Sequence, residues 1–219
     1  MKSFSSKLKE LFIFLLIILI FSGGWVAFLD YLQSTFTFLN FSNFQQKQEN
    51  AIYSTNTVTI ILTSVFLVPV LEEFVFRSLI KPNNKSIAIF FSGLVGLILY
   101  IFLGATSNIY LLIAILLTAI IITYVLAINR GKKYFNDLVI KAFHKNYIAI
   151  LTITSIIFGL LHCFNYASLT EINIAVLLLA FPRVVTGFLY GIFKIRNGLK
   201  WSIALHIMKN LVVVLIGLF

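Results

Sequence analysis

The chain has 219 residues, 60% hydrophobic and 11% charged, with a mean hydropathy of +1.03. No soluble globular domain has that balance, whereas a polytopic helical membrane protein does. The net charge of +10 does not indicate nucleic acid, because the basic residues sit in short stretches between apolar runs, as the positive-inside rule expects.

The apolar runs are long and continuous. In lipid only helices and closed barrels satisfy the backbone, and runs of this length mean helices, so the fold class is all-α: a polytopic transmembrane bundle. The single Cys163 leaves no internal disulfide. No repeat or low-complexity tract divides the chain.

Met1 to Glu10 is short, polar and basic. Leu11 to about Leu32 is the first expected span; it lacks an A-x-A-like cleavage site and reads as a retained helix rather than a signal peptide. Gln33 to Asn56 is polar and reads as an outside loop. Span two is about Thr57 to Ile80, followed by a basic turn, Lys81 to Lys85. Span three is about Ser86 to Leu103, then a turn at Gly104 to Asn108, then span four at about Ile109 to Ile128. The stretch Asn129 to Tyr147 is basic, and its second half has helical apolar spacing, which predicts an interfacial helix. Its cations between Arg130 and Lys145 are suited to anionic lipid or an acidic peptide.

Span five is about Ile148 to Phe164, and Asn165 to Glu171 is a turn. Span six, about Ile172 to Phe193, is interrupted at Pro182, where a kink is expected. Gly187 and Gly191 give it a face that another helix can approach closely. Lys194, Arg196 and Lys200 mark an inner loop before span seven, about Trp201 to Phe219. An inside N-terminus with about seven spans puts nearly every loop Lys and Arg on one side, with Lys47 the exception.

Three polar groups fall inside these spans. The first is Glu72-Glu73-Phe74-Val75-Phe76-Arg77. Charges within a membrane-length segment are costly and mark functional sites. Glu73 and Arg77 are four apart, on one helix face, and can pair. Glu72 points about 100° away and is the carboxylate left over, suited to general-base work. In the second, Phe158 and His162 share a face near the end of span five. In the third, His206 and Asn210 share a face in span seven. Each also has a plainer reading: the charges as helix-packing contacts, His162 as a packing residue, Asn210 as interhelical glue. A carboxylate, two imidazoles and an amide together are parts that activate water and hold an oxyanion. There is no G-x-S-x-G and no H-E-x-x-H, and Cys163 points away from its neighbour His162.

The order E-E-x-x-x-R, F-x-x-x-H and H-x-x-x-N resembles the CPBP intramembrane proteases, the CAAX protease and bacteriocin-processing (Abi) family. The similar region runs from about Val58 to Phe219 and includes Gly187-Phe188-Leu189-Tyr190-Gly191. The resemblance implies that Glu72 activates water with help from His162, that His206 and Asn210 hold the oxyanion, and that Glu73, Arg77 and Phe158 support the site. It implies no cofactor and no metal, although a Glu/His/His set is also of the chemical type that zinc takes. It divides the chain into an N-terminal span and loop (1–57) and a protease-like core (58–219), with an insertion at about 83–135. That insertion reflects the distance of about 85 residues between the first two motifs, which is long for the family.

The expected function is an intramembrane endopeptidase acting near the inner face of a bacterial cytoplasmic membrane. The expected partners are the bilayer and a peptide or membrane-protein substrate, with bacteriocin-like or signalling peptides foremost. The alternatives are a non-catalytic scaffold or bacteriocin-immunity protein of the same fold, and a small transporter with a carboxylate proton relay. Counted at ~1.5 Å per residue from the inner ends, Glu72, His206 and Asn210 lie roughly 9–15 Å deep and His162 roughly 20 Å. That mismatch predicts that span five starts later than Ile148 or bends.

Overall fold

The computed structural model describes residues 2–36, 39–53, 56–83, 85–103, 109–134 and 137–218. The expected turn Gly104–Asn108 lies outside them, as do the side chains of Arg130, Lys132 and Lys133. The described residues form helices and no strand: α1 Phe4–Thr35, α2 Phe41–Tyr53, α3 Thr57–Arg77, α4 Ser86–Leu103, α5 Ile109–Tyr134, α6 Asp137–Lys145, α7 Tyr147–Leu161, α8 Ile174–Asn197 and α9 Leu199–Leu218. Among the described residues, seven helices are long and apolar enough to cross a membrane. The protein is an all-α polytopic bundle.

Several boundaries differ from the sequence reading. α1 is 32 residues long, begins before Leu11, and is capped by Ser3, whose hydroxyl accepts from Ser6 N–H. The expected loop Gln33–Asn56 contains α2. Gln33 Oε1 accepts from Phe41 N–H at 2.9 Å and Ser42 N–H at 3.1 Å, and Asn40 Oδ1 accepts from Asn43 N–H at 3.2 Å. These bonds satisfy donors at the start of α2 that have no partner within the helix. Phe41 and Phe44 anchor it against α1, α8 and the turn after α7; two aromatic anchors in a polar stretch gave too weak a period to be seen. α5 continues to Tyr134 rather than ending at Ile128, consistent with the good helix formers Arg and Lys in its last turns.

α3, α7, α8 and α9 form the centre, α1 covers α8 and α9, and the α4–α5 hairpin stacks on the outer side of α3. Gly187 lets Arg77, Phe158 and Ser155 approach α8, and Gly191 does the same for Leu151 and Ile80. α8 turns into α9 through Gly198, whose φ of +94° favours a residue without a Cβ. The basic ends cluster: Lys81 lies 4.1 Å from the Tyr147 ring, Lys194 donates to the Ile80 and Lys81 carbonyls, and Glu10 pairs with Lys2 at 2.5 Å and Arg196 at 3.3 Å. Lys47 pairs with Glu171 at 3.1 Å at the other end.

Pro182 lies inside a continuous α8. Its missing N–H frees the carbonyl of Leu178, four residues earlier, and Trp25 Nε1–H of α1 donates to that oxygen at 2.9 Å. The expected interruption is thus repaired by a neighbouring helix.

Candidate functional site

The first motif follows a wide turn in α3. Residues Ile61–Leu67 are π-helical, and Val68 N–H bonds the Thr63 carbonyl. Pro69 has no N–H. The Ser64 carbonyl therefore lacks both the donor it takes in an α-helix and the one it takes in a π-helix. Asn210 Nδ2 of α9 donates to it at 2.9 Å. Gly93 and Gly96 of α4 sit directly behind Leu71, Phe74 and Val75, so the backbone that carries Glu72 is backed on one side and tied on the other.

Glu73 and Arg77 are fully buried. Their closest approach is 3.8 Å, an ion pair without a hydrogen bond. Arg77 stacks over Phe158 at 5.1 Å and donates to the Phe76 carbonyl at 3.2 Å. Glu73 is held chiefly by α9: Ser202 Oγ lies 2.5 Å from Oε2, and His206 Nδ1 lies 3.2 Å from Oε1. The Ser202 oxygen is also 3.0 Å from the Tyr190 carbonyl, and its single hydrogen serves one acceptor at a time. Tyr190 stacks on the His206 ring at 4.4 Å.

Glu72 faces the other way, with only 13% of its side chain exposed. Its Oε1 lies 3.8 Å from His162 Nε2 and its Oε2 lies 3.6 Å from His206 Nε2. The opposite nitrogens fix both rings. His162 Nδ1 is 2.8 Å from the Phe158 carbonyl, which can only accept, so Nδ1 carries the hydrogen. His206 Nδ1–H is likewise given to the Glu73 carboxylate. Each ring thus turns its Nε2 toward Glu72, as a lone pair when the imidazole is neutral and as an N–H when it is protonated. With both rings neutral, three acceptors meet at distances too long for direct hydrogen bonds, an arrangement that a water donating to two of them can bridge.

The depth mismatch resolves without a late start of span five. α7 begins at Tyr147, and about 22 Å of helix separates Tyr147 from His162. Side chains lean toward the N-terminus of their own helix. α3 runs toward the basic end and α7 away from it, so Glu72 and His162 lean toward each other. The chain also changes to a 3-10 turn at His162–Asn165.

Of the residues named from sequence, Glu72, His162 and His206 meet. Phe158 packs against the His162 ring at 4.6 Å, with Glu73 and Arg77 behind it. Asn210 lies one turn from His206 and is committed to Ser64. Cys163 is buried against Ala167, Val176 and Ala180. Sequence reasoning missed Ser202, Tyr190, Arg183 and Lys209. Ser202 is four residues before His206 on the same face, a legible signal. Arg183 and Lys209 are charges inside apolar spans, which should have marked them as well. Both act electrostatically on Glu72.

Among the described residues no group of three or more His, Cys, Asp or Glu is disposed to hold a metal ion. The chain matches no family model, and no curated protein or solved structure matches it significantly.

Proposed function

We propose that the protein is an intramembrane endopeptidase whose general base is Glu72. The observation that carries this reading is the convergence of the Glu72 carboxylate with the Nε2 atoms of His162 and His206, at 3.8 and 3.6 Å, inside a bundle of membrane-length helices. A water held between Glu72 and His162 loses a proton to Glu72 as its oxygen attacks the peptide carbonyl. The tetrahedral oxyanion is held from the α9 side, by His206 when its Nε2 carries a proton and by the second Nδ2 hydrogen of Asn210. Collapse breaks the C–N bond, and the proton on Glu72 passes to the leaving amine. Glu73, Ser202 and Tyr190 position His206, and Phe158 positions His162.

The setting proposed is a bacterial cytoplasmic membrane with the basic end inside. The substrate is a bacteriocin-like or signalling peptide or a membrane protein. Lys141 and Lys145 of α6 face anionic lipid there. The resemblance to the CPBP proteases supports this reading through all three of its motifs.

The test incubates purified protein in detergent with leader-type and amphipathic peptides, read by mass spectrometry with and without chelator. Cleavage lost in Glu72→Gln and His206→Ala and insensitive to chelator is the expected result. Cleavage retained in Glu72→Gln overturns the reading. Cleavage abolished by chelator replaces it with a metal-dependent one. Cleavage absent from every protein while cells still need Glu72 favours the scaffold or immunity role.

A further inference from the structure

Basic side chains outnumber acidic ones around Glu72. Glu72 and Glu73 face three of them, Arg77, Arg183 and Lys209. Arg77 is matched by Glu73. Lys209 is 4% exposed, and among the described residues its ammonium has one polar contact, a 3.4 Å approach to Asn210 Oδ1. Arg183 is half-buried, and among the described residues its guanidinium makes no hydrogen bond or ion pair. A free guanidinium inside an apolar span is costly, and such residues face a ligand or a water-filled path.

Its position is set by backbone packing. The neighbouring Val184 lies against Gly159 of α7 so closely that a Cβ there has no room. Gly159 is one turn before His162, so Arg183 stands at the height of His162. It acts electrostatically on Glu72, His162, Tyr190 and Lys209. Along α8 it is ~21 Å from Asn197 and ~13 Å from Ile174, which is deeper than a lipid headgroup sits from either end.

We propose that Arg183, seconded by Lys209, receives a carboxylate of the peptide substrate and so places the bond to be cut over Glu72. The placing of that bond rests on the hydrolase reading; the recognition of charge does not. A guanidinium fork matches a carboxylate with two parallel hydrogen bonds, and burial strengthens the attraction. The carboxylate has two sources, a free C-terminus or an Asp or Glu side chain.

Both sources are tested with a labelled apolar peptide in three forms: free C-terminus without acidic residues, the same peptide amidated, and the amidated peptide with one internal Glu. Binding is measured in detergent in the Glu72→Gln background, so that hydrolysis does not consume the probe. Cleavage of the same peptides by protein with Glu72 intact is scored separately. Absent cleavage then counts against the hydrolase reading, and absent charge preference against this inference.

The expected result is that one carboxylate form binds at least about tenfold more tightly than the neutral amide, and that Arg183→Gln removes the difference. Preference for the free terminus identifies that source, and preference for the internal Glu identifies the other. Arg183→Lys keeps the charge without the fork and serves if the Gln variant does not fold. It weakens the carboxylate form several-fold and leaves the amide unchanged. Equal binding of all three forms, or a preference that survives in both variants, overturns the proposal.

Discussion

Asn210 donates its side-chain amide to the Ser64 carbonyl at 2.9 Å, filling a place that Pro69 leaves empty. Asn210→Ala should therefore destabilise the fold by about 1 kcal/mol, because a carbonyl is left without a donor. In a Pro69→Ala background, which restores an N–H, the same substitution should cost clearly less. Thermal unfolding in detergent of the two single variants and the double variant reads the coupling. Additive effects would show that the two residues are independent.

The Trp25 bond to the Leu178 carbonyl makes a parallel case. Trp25→Phe keeps most of the ring packing against Phe181, now 4.7 Å away, and removes only the indole N–H. A loss of about 1 kcal/mol is expected, and it should shrink when Pro182→Ala supplies the missing donor. Unfolding curves of the same four-member cycle check it.

The two adjacent glutamates should separate stability from activity. Glu73→Gln leaves the Arg77 guanidinium buried without its counter-charge and should destabilise by roughly 3–5 kcal/mol. Glu72 makes no hydrogen bond among the described residues, so Glu72→Gln should leave the unfolding midpoint nearly unchanged while abolishing cleavage. A large drop in the midpoint for Glu72→Gln would make that residue structural.

Glycine substitutions should divide by helix contact. Gly159→Ala places a methyl on Val184 and should cost about 1–3 kcal/mol. Gly24→Ala meets nothing within 4 Å and should be neutral or stabilising by up to about 1 kcal/mol. Detergent unfolding midpoints distinguish the two.

The far end should respond to acid. The Ser168 N–H, and next Lys47, hold the Glu171 carboxyl down at about 2. A lowered folded value means that the stabilisation is present above the unfolded value of about 4.3 and is lost as pH falls toward 2. The protection of the α2 amides, taken relative to their intrinsic exchange rates, should fall across that window. Glu171→Gln should exchange faster at neutral pH and lose the dependence.

The sequence alone determined that this is an all-α bundle with about seven membrane-length helices, because length and apolarity are additive properties of a run. It also put Glu73 with Arg77, Phe158 with His162, and His206 with Asn210, because spacing of four on a helix is local geometry. α2 was not legible, since its stability comes from burying Phe41 and Phe44 against other helices.

Tertiary structure decided how the three polar groups meet. Opposite helix directions make Glu72 and His162 lean together, a relation that depends on which helices are neighbours. The same neighbours assigned Asn210 to Ser64 and Trp25 to Leu178, because a carbonyl freed by proline is visible in the chain but its donor is chosen by packing. Arg183 and Lys209 were visible as charges. Only the assembled bundle brings them into the electrostatic surroundings of Glu72, and leaves the guanidinium of Arg183 without a partner among the described residues.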